Sequence, residues 1–157
     1  MGKINLQKVL IGGLIAGVVL NVVDYVLYGV ILKAQMDAAM QALNKPPIGA
    51  SAIGVFVALD FVVGVFLVWL YAAIRPRYGA GPATAVKAGL AAWFLGGLVQ
   101  AAAMWPMAIM PHNLTVISTA VMLVEFPLAT LVGAKFYLEG ASLGAGMGAT
   151  AGMGSRM

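Results

Sequence analysis

The stretch VLIGGLIAGVVLNVVDYVLYGVIL, Val9 to Leu32, decides the fold. It is bracketed by Lys8 and Lys33, and its only strongly polar residues are Asn21 and Asp24. At a 1.5 Å rise per residue it makes a helix of roughly 36 Å, longer than the hydrocarbon core of a bilayer at about 30 Å. Lipid offers backbone N–H and C=O groups no hydrogen-bond partner, so a run of this kind crosses as a helix. Working outward, three more runs of the same character follow. Residues 50–74 end at Arg75, Pro76 and Arg77, residues 88–108 follow Lys87, and residues 114–134 precede Lys135. The expected fold is therefore all-α, a polytopic membrane protein with four transmembrane helices in a bundle.

Composition agrees. The 157 residues are 62% hydrophobic and 9% charged, whereas soluble domains carry about 25% charged residues. A soluble fold has no means of hiding that much apolar surface. Four spans occupy most of residues 1–139, which form one transmembrane domain; residues 140–157, GASLGAGMGATAGMGSRM, read as a Gly/Met-rich low-complexity tail. Cysteine is absent, which excludes disulfides, thiolate metal sites and thiol chemistry. The net charge of +4 comes from scattered single and paired cations, so the chain lacks the basic run that marks a nucleic-acid partner.

The cations set an orientation instead, because Lys and Arg resist translocation. Lys3, Lys8, Arg75, Arg77, Lys87, Lys135 and Arg156 fall on one side, and only Lys33 and Lys45 on the other. This places both termini in the cytoplasm, with Arg75, Arg77 and Lys87 as the cations that fix the topology. In the first outer loop, residues 34–49, Met36, Ala39, Met40 and Leu43 recur at helical spacing, which predicts a short interfacial helix ended by Pro46 and Pro47.

Five acidic residues exist in the chain, and three of them, Asp24, Asp60 and Glu125, lie inside predicted spans. A charge at the centre of a span costs about 2.5 to 3.5 kcal/mol on insertion scales, so such residues face the bundle interior and meet partners. Counting residues from the outer ends puts Asp24, Asp60 and Glu125 at depths of roughly 13, 15 and 17 Å, and Gln100 at roughly 12 Å. Each helix thus contributes one strongly polar residue to a common layer near the midplane. No Lys or Arg lies at that depth. Three arrangements neutralise such a layer: protonated acids hydrogen-bonded to Gln100, Asn21 or one another, a cation or protons in transit, or a base on a partner subunit.

Pro127 frees the carbonyl of Leu123 two residues from Glu125, an arrangement common where helices bend beside a cavity. Gly13 and Gly17 form a small-xxx-small pair, and Gly96 and Gly97 add a second smooth surface for close helix packing. His112, the single histidine, is a weak metal ligand at best, since no second ligand accompanies it. No HExxH, GxSxG, Walker or CxxCH pattern occurs, so neither a catalytic constellation nor a cofactor is implied, and the chain does not read as an enzyme.

The segments KINLQKVLIGGLIAGVV (3–19), WLYAAIRPRYGAGPATA (69–85) and LVEFPLATLVGAKFY (123–137) together resemble a family of small, uncharacterised bacterial four-helix integral membrane proteins. The resemblance implies a bacterial inner-membrane location and carries no activity. On the sequence alone the expected function is a non-catalytic structural or accessory subunit of a larger membrane complex, in contact with lipid and with a membrane-protein partner or a second copy. The alternative is a small proton- or cation-coupled transporter or channel that uses the acidic layer.

Overall fold

A computed structural model describes residues 4–137; the Gly/Met-rich tail, Lys3 and Arg156 lie outside the described residues. Among these the chain is helical throughout, and four helices are long and apolar enough to cross a membrane. Helix α1 (Leu6–Asp24) starts at Asn5, whose side-chain oxygen accepts a hydrogen bond from the Lys8 N–H at 3.1 Å and satisfies one of the donors a helix start leaves open. Beyond Asp24 the helix continues as a π-helical segment, Tyr25–Ile31, completing the first span. The connection between the first and second spans holds α2 (Lys33–Ala42), whose buried Ala39 packs with Leu27, Leu32 and Leu114 in a small apolar cluster.

Helix α3 (Ala50–Tyr78) forms the second span and runs through Arg75, Pro76 and Arg77 rather than ending there. In the last turn a proline forfeits a single hydrogen bond, while the two arginines meet the negative end of the helix dipole. The reversal that follows needs positive φ at Gly79 (83°) and Gly81 (133°), which glycine alone adopts freely. Pro82 then opens α4 (Pro82–Trp93) at a first-turn position that needs no N–H donor. Thr84 is buried in this turn and donates its hydroxyl to the carbonyls of Gly79 (2.8 Å) and Tyr78 (3.3 Å). The third span thus begins ahead of Lys87, whose ammonium lies 4.7 Å from the centre of the Tyr78 ring. It continues through a second π-helical segment, Phe94–Val99, into α5 (Gln100–Met104) and a 3₁₀ turn at Trp105–Met107. Helix α6 (His112–Ala134) is the fourth span.

Helix α1 packs most extensively on α3 and then on α6, and α4 packs on α6 and α3, which closes a four-helix bundle. Glycines make the closest crossings. Gly13 and Gly17 of α1 lie against Gly64 of α3, where an added Cβ would stand 2.8 Å from the Gly17 Cα and collide with the Gly13 carbonyl. Gly133 of α6 faces Gly12, whose carbonyl oxygen would be 2.6 Å from a Cβ there, and Gly89 of α4 leaves room for Pro127 of α6 at 2.5 Å from its own absent Cβ. Without a hydrophobic drive between helices in lipid, such backbone approach provides the van der Waals contact that holds spans together.

The core runs along the bundle axis through Val9, Leu20, Leu67, Val68, Tyr71 and Ala129. Only 17 to 33% of the most apolar stretch of each span is buried within the chain, which leaves a belt of exposed Val, Leu, Ile and Phe all around it, as a lipid-facing surface requires. At the end that carries most cations, Tyr137 accepts from the Asn5 N–H at 3.4 Å and meets Tyr71 edge-on, 6.0 Å between ring centres. The Arg75 guanidinium lies over both rings at 5.9 and 5.6 Å. This cluster ties the start of α1 to the end of α6.

Candidate functional site

Asp24 ends the regular part of α1, seven residues beyond Gly17 and therefore on the face that Gly17 presents to α3. Asp60 sits on α3 at that same crossing, with its backbone carbonyl beside Gly17. Glu125 projects from α6 two residues before Pro127, the point where α6 touches Gly89. The three side chains come within electrostatic reach of one another, so the glycine-lined crossings gather carboxyl groups from three helices into one cluster.

Burial differs within the cluster. Glu125 is only 5% exposed, while Asp24 and Asp60 are half-buried. None of the three accepts or donates a hydrogen bond to another described residue, and the ion pair of Lys33 with Asp37 at 2.8 Å lies in α2, outside the spans. Nor do three acidic or imidazole side chains among the described residues converge tightly enough to hold a metal ion.

Tyr28, one turn beyond Asp24 in the π-helical segment, has Ser118 of α6 beside its hydroxyl and stands within electrostatic reach of Asp24 and Glu125. A tyrosine within a span reads in sequence as an ordinary anchor, and only its spacing of four from Asp24 hinted at this position. Single π-helical turns inside α-helices recur at functional sites, because the inserted residue redirects the side chains that follow.

The other polar residues of the expected layer are elsewhere. Asn21 lies near Asp24 but donates its amide to the carbonyls of Gly17 (2.9 Å) and Val57 (3.4 Å), which fastens α1 to α3. Gln100 is exposed on the outer face of α5, directly after the second π-helical segment. Gly97 packs against Trp93 and Met122, whereas Gly96 is exposed and has only Phe126 within 4.0 Å. His112 stacks on Trp105 at 4.0 Å between ring centres, and its Nε2 lies 3.2 Å from the Trp105 carbonyl, so the imidazole closes the short loop between the third and fourth spans. Arg75, Arg77 and Lys87 stay at one end of the bundle, far along the helices from the acids. Trp93 donates its indole N–H to the Thr119 carbonyl at 2.9 Å and so links the third span to the fourth.

An open groove of about 400 Å³ lies beside Glu125 on the outside of the bundle. Its walls are Val23 of α1 and Ile117, Val121, Val124 and Leu128 of α6, and Glu125 lies among them. The polar cluster and the lipid-facing surface therefore meet at one side chain. Compared with family models, with curated proteins and with solved structures, the chain finds no match.

Proposed function

We propose that this is a multi-pass membrane protein that takes up protons or cations at an intramembrane cluster of Asp24, Asp60 and Glu125 and moves them across the bilayer. The observation that carries the reading is the position of Glu125, buried inside the bundle without an ion pair or hydrogen bond among the described residues. A carboxylate that serves to dock a partner sits on the outer face of a helix. An acid held inside, with two more acids in reach and no base at its level, draws its neutralising charge from protons or cations that enter the bundle. The π-helical segment that begins directly after Asp24 favours the same reading, since such departures from the regular α-helix recur at functional sites.

The test is flux. Purified protein in liposomes under a membrane potential should pass protons, or a monovalent cation, faster than protein-free vesicles; identical rates would rule the reading out.

Exposed Gln100 favours a second reading, an accessory subunit of a larger complex, because a lone amide on the lipid face of a span gains from a protein partner. Mild extraction separates the two: a stoichiometric complex supports the accessory role, and repeated isolation of the chain alone speaks against it.

In either role both termini lie in the cytoplasm, in the inner membrane of a bacterium, with α2 resting on the outer leaflet. The distribution of Arg75, Arg77 and Lys87 against Lys33 and Lys45 supports this orientation. The chain contains no cysteine, so single cysteines report topology without background. A membrane-impermeant maleimide added to intact cells should label Lys45→Cys and leave Arg77→Cys unlabelled; the reverse pattern would invert the topology.

A further inference from the structure

The groove beside Glu125 has an unusual combination of properties. Its walls are wholly aliphatic and open toward lipid, yet Glu125, only 5% exposed and without a hydrogen-bond partner among the described residues, is one of the residues that line it. Its volume of about 400 Å³ falls within the usual range for small-molecule sites, about 300 to 1,000 Å³.

The chemistry narrows the occupant. A lipid chain or neutral apolar molecule fits the walls but makes no use of the acid, whose proton would simply stay in place. An anion is repelled by three carboxyl groups. A small inorganic cation holds its hydration tightly, and the aliphatic walls have no oxygen atoms to replace that shell. A second copy of the chain has no Lys or Arg at this depth in any span to place against Glu125. What satisfies both the walls and the acid is a positive charge on an apolar body, delocalised or shielded so that it sheds water readily and arrives by way of the membrane.

We infer that the groove is a binding site for lipophilic organic cations, with Glu125 as the counter-charge. The inference rests on the reading of the acidic cluster as the place where positive charge is taken up, and it names the class of compound that cluster accepts. Asp24 and Asp60 add long-range attraction without touching the ligand, and proton release from the cluster accompanies cation entry.

Equilibrium binding of tetraphenylphosphonium to the full chain in nanodiscs tests this. Saturable binding is expected, at one cation per chain, with no competition from neutral triphenylphosphine oxide. Glu125→Gln should weaken it at least about tenfold, the loss of one charge pair at low dielectric. Because Glu125 is buried, Val124→Trp provides a second test: Val124 is 67% exposed, so a bulky residue there blocks the groove without entering the core, and it should abolish saturable binding with the fold intact. Non-saturable partitioning that is equal in the wild type and both variants would overturn the proposal. So would an absence of phosphonium binding together with either of two findings: capture of a synthetic transmembrane helix carrying one central lysine, or a change of oligomeric state on Val124→Trp. Proton flux in liposomes without any organic cation is measured separately, so a failure of binding with flux retained removes the inference and leaves the proposed function standing.

Discussion

Replacing Glu125 by Gln is expected to reduce ion flux through liposomes by at least about tenfold, to near the level of protein-free vesicles, while the protein still folds and extracts as the wild type does. The amide has nearly the shape of the carboxyl group but can neither lose a proton nor balance a cation. Of the three acids Glu125 should matter most, because it is the most buried and is the one that reaches the groove. Asp24→Asn and Asp60→Asn leave that contact in place and act through the charge they remove, so their effects should be smaller. Stability should move little or upward, since an uncompensated buried acid opposes folding and its amide does so less. A marked loss of stability in Glu125→Gln would mean that the carboxyl makes a structural bond, and flux equal to wild type would place ion uptake elsewhere.

The largest effect on the fold is expected from Gly64→Leu. A side chain at Gly64 drives into the backbone of Gly13 and Gly17, and backbone cannot give way as the end of a flexible side chain can. Helices α1 and α3 must then separate along their closest crossing, and overpacking of this kind costs about 3 kcal/mol or more. Because Asp24 and Asp60 flank the same crossing, flux should fall with stability. Gly54→Leu serves as the control: it lies in the same helix and has no atom within 4 Å of an added Cβ. Unfolding in graded denaturing detergent should show the Gly64 variant collapsing early and the Gly54 variant close to wild type. Equal behaviour of the two would mean that the α1–α3 crossing is not what holds the bundle together.

Which parts of this could be read from the sequence follows from what a bilayer does and does not dictate. The four spans were legible because apolar length is itself the signal, and a run such as Val9–Leu32 has no other stable home. Their ends were less so. Lys87 reads as a boundary, yet α4 begins at Pro82, because a lysine in the second turn reaches back along its stem to the Tyr78 ring. The site divides in the same way. Depth can be counted along a helix, and the count sets Asp24, Asp60 and Glu125 at similar levels; in the structure the three stand within electrostatic reach of one another. Azimuth cannot be counted in a span that is apolar all round, because no hydrophobic face marks the inside. Gln100 is counted to a similar depth yet is exposed, and the π-helical segment before it turns its azimuth by about 100° for each residue inserted. Gly64 carries no sequence signal for a related reason. A single glycine in an apolar run carries no spacing of its own, and its role depends on the Gly13 and Gly17 pair brought opposite it by the bundle.

The most direct measurement of the central claim, an unpartnered acid inside the bundle that opens on the lipid face, is labelling with dicyclohexylcarbodiimide. This apolar reagent reaches proton-bearing carboxyl groups from within the membrane. Peptide mass spectrometry of the labelled protein should place the adduct on Glu125, with little on Asp37, and Val124→Trp should suppress it. An unlabelled Glu125 in the folded wild-type protein would contradict the account.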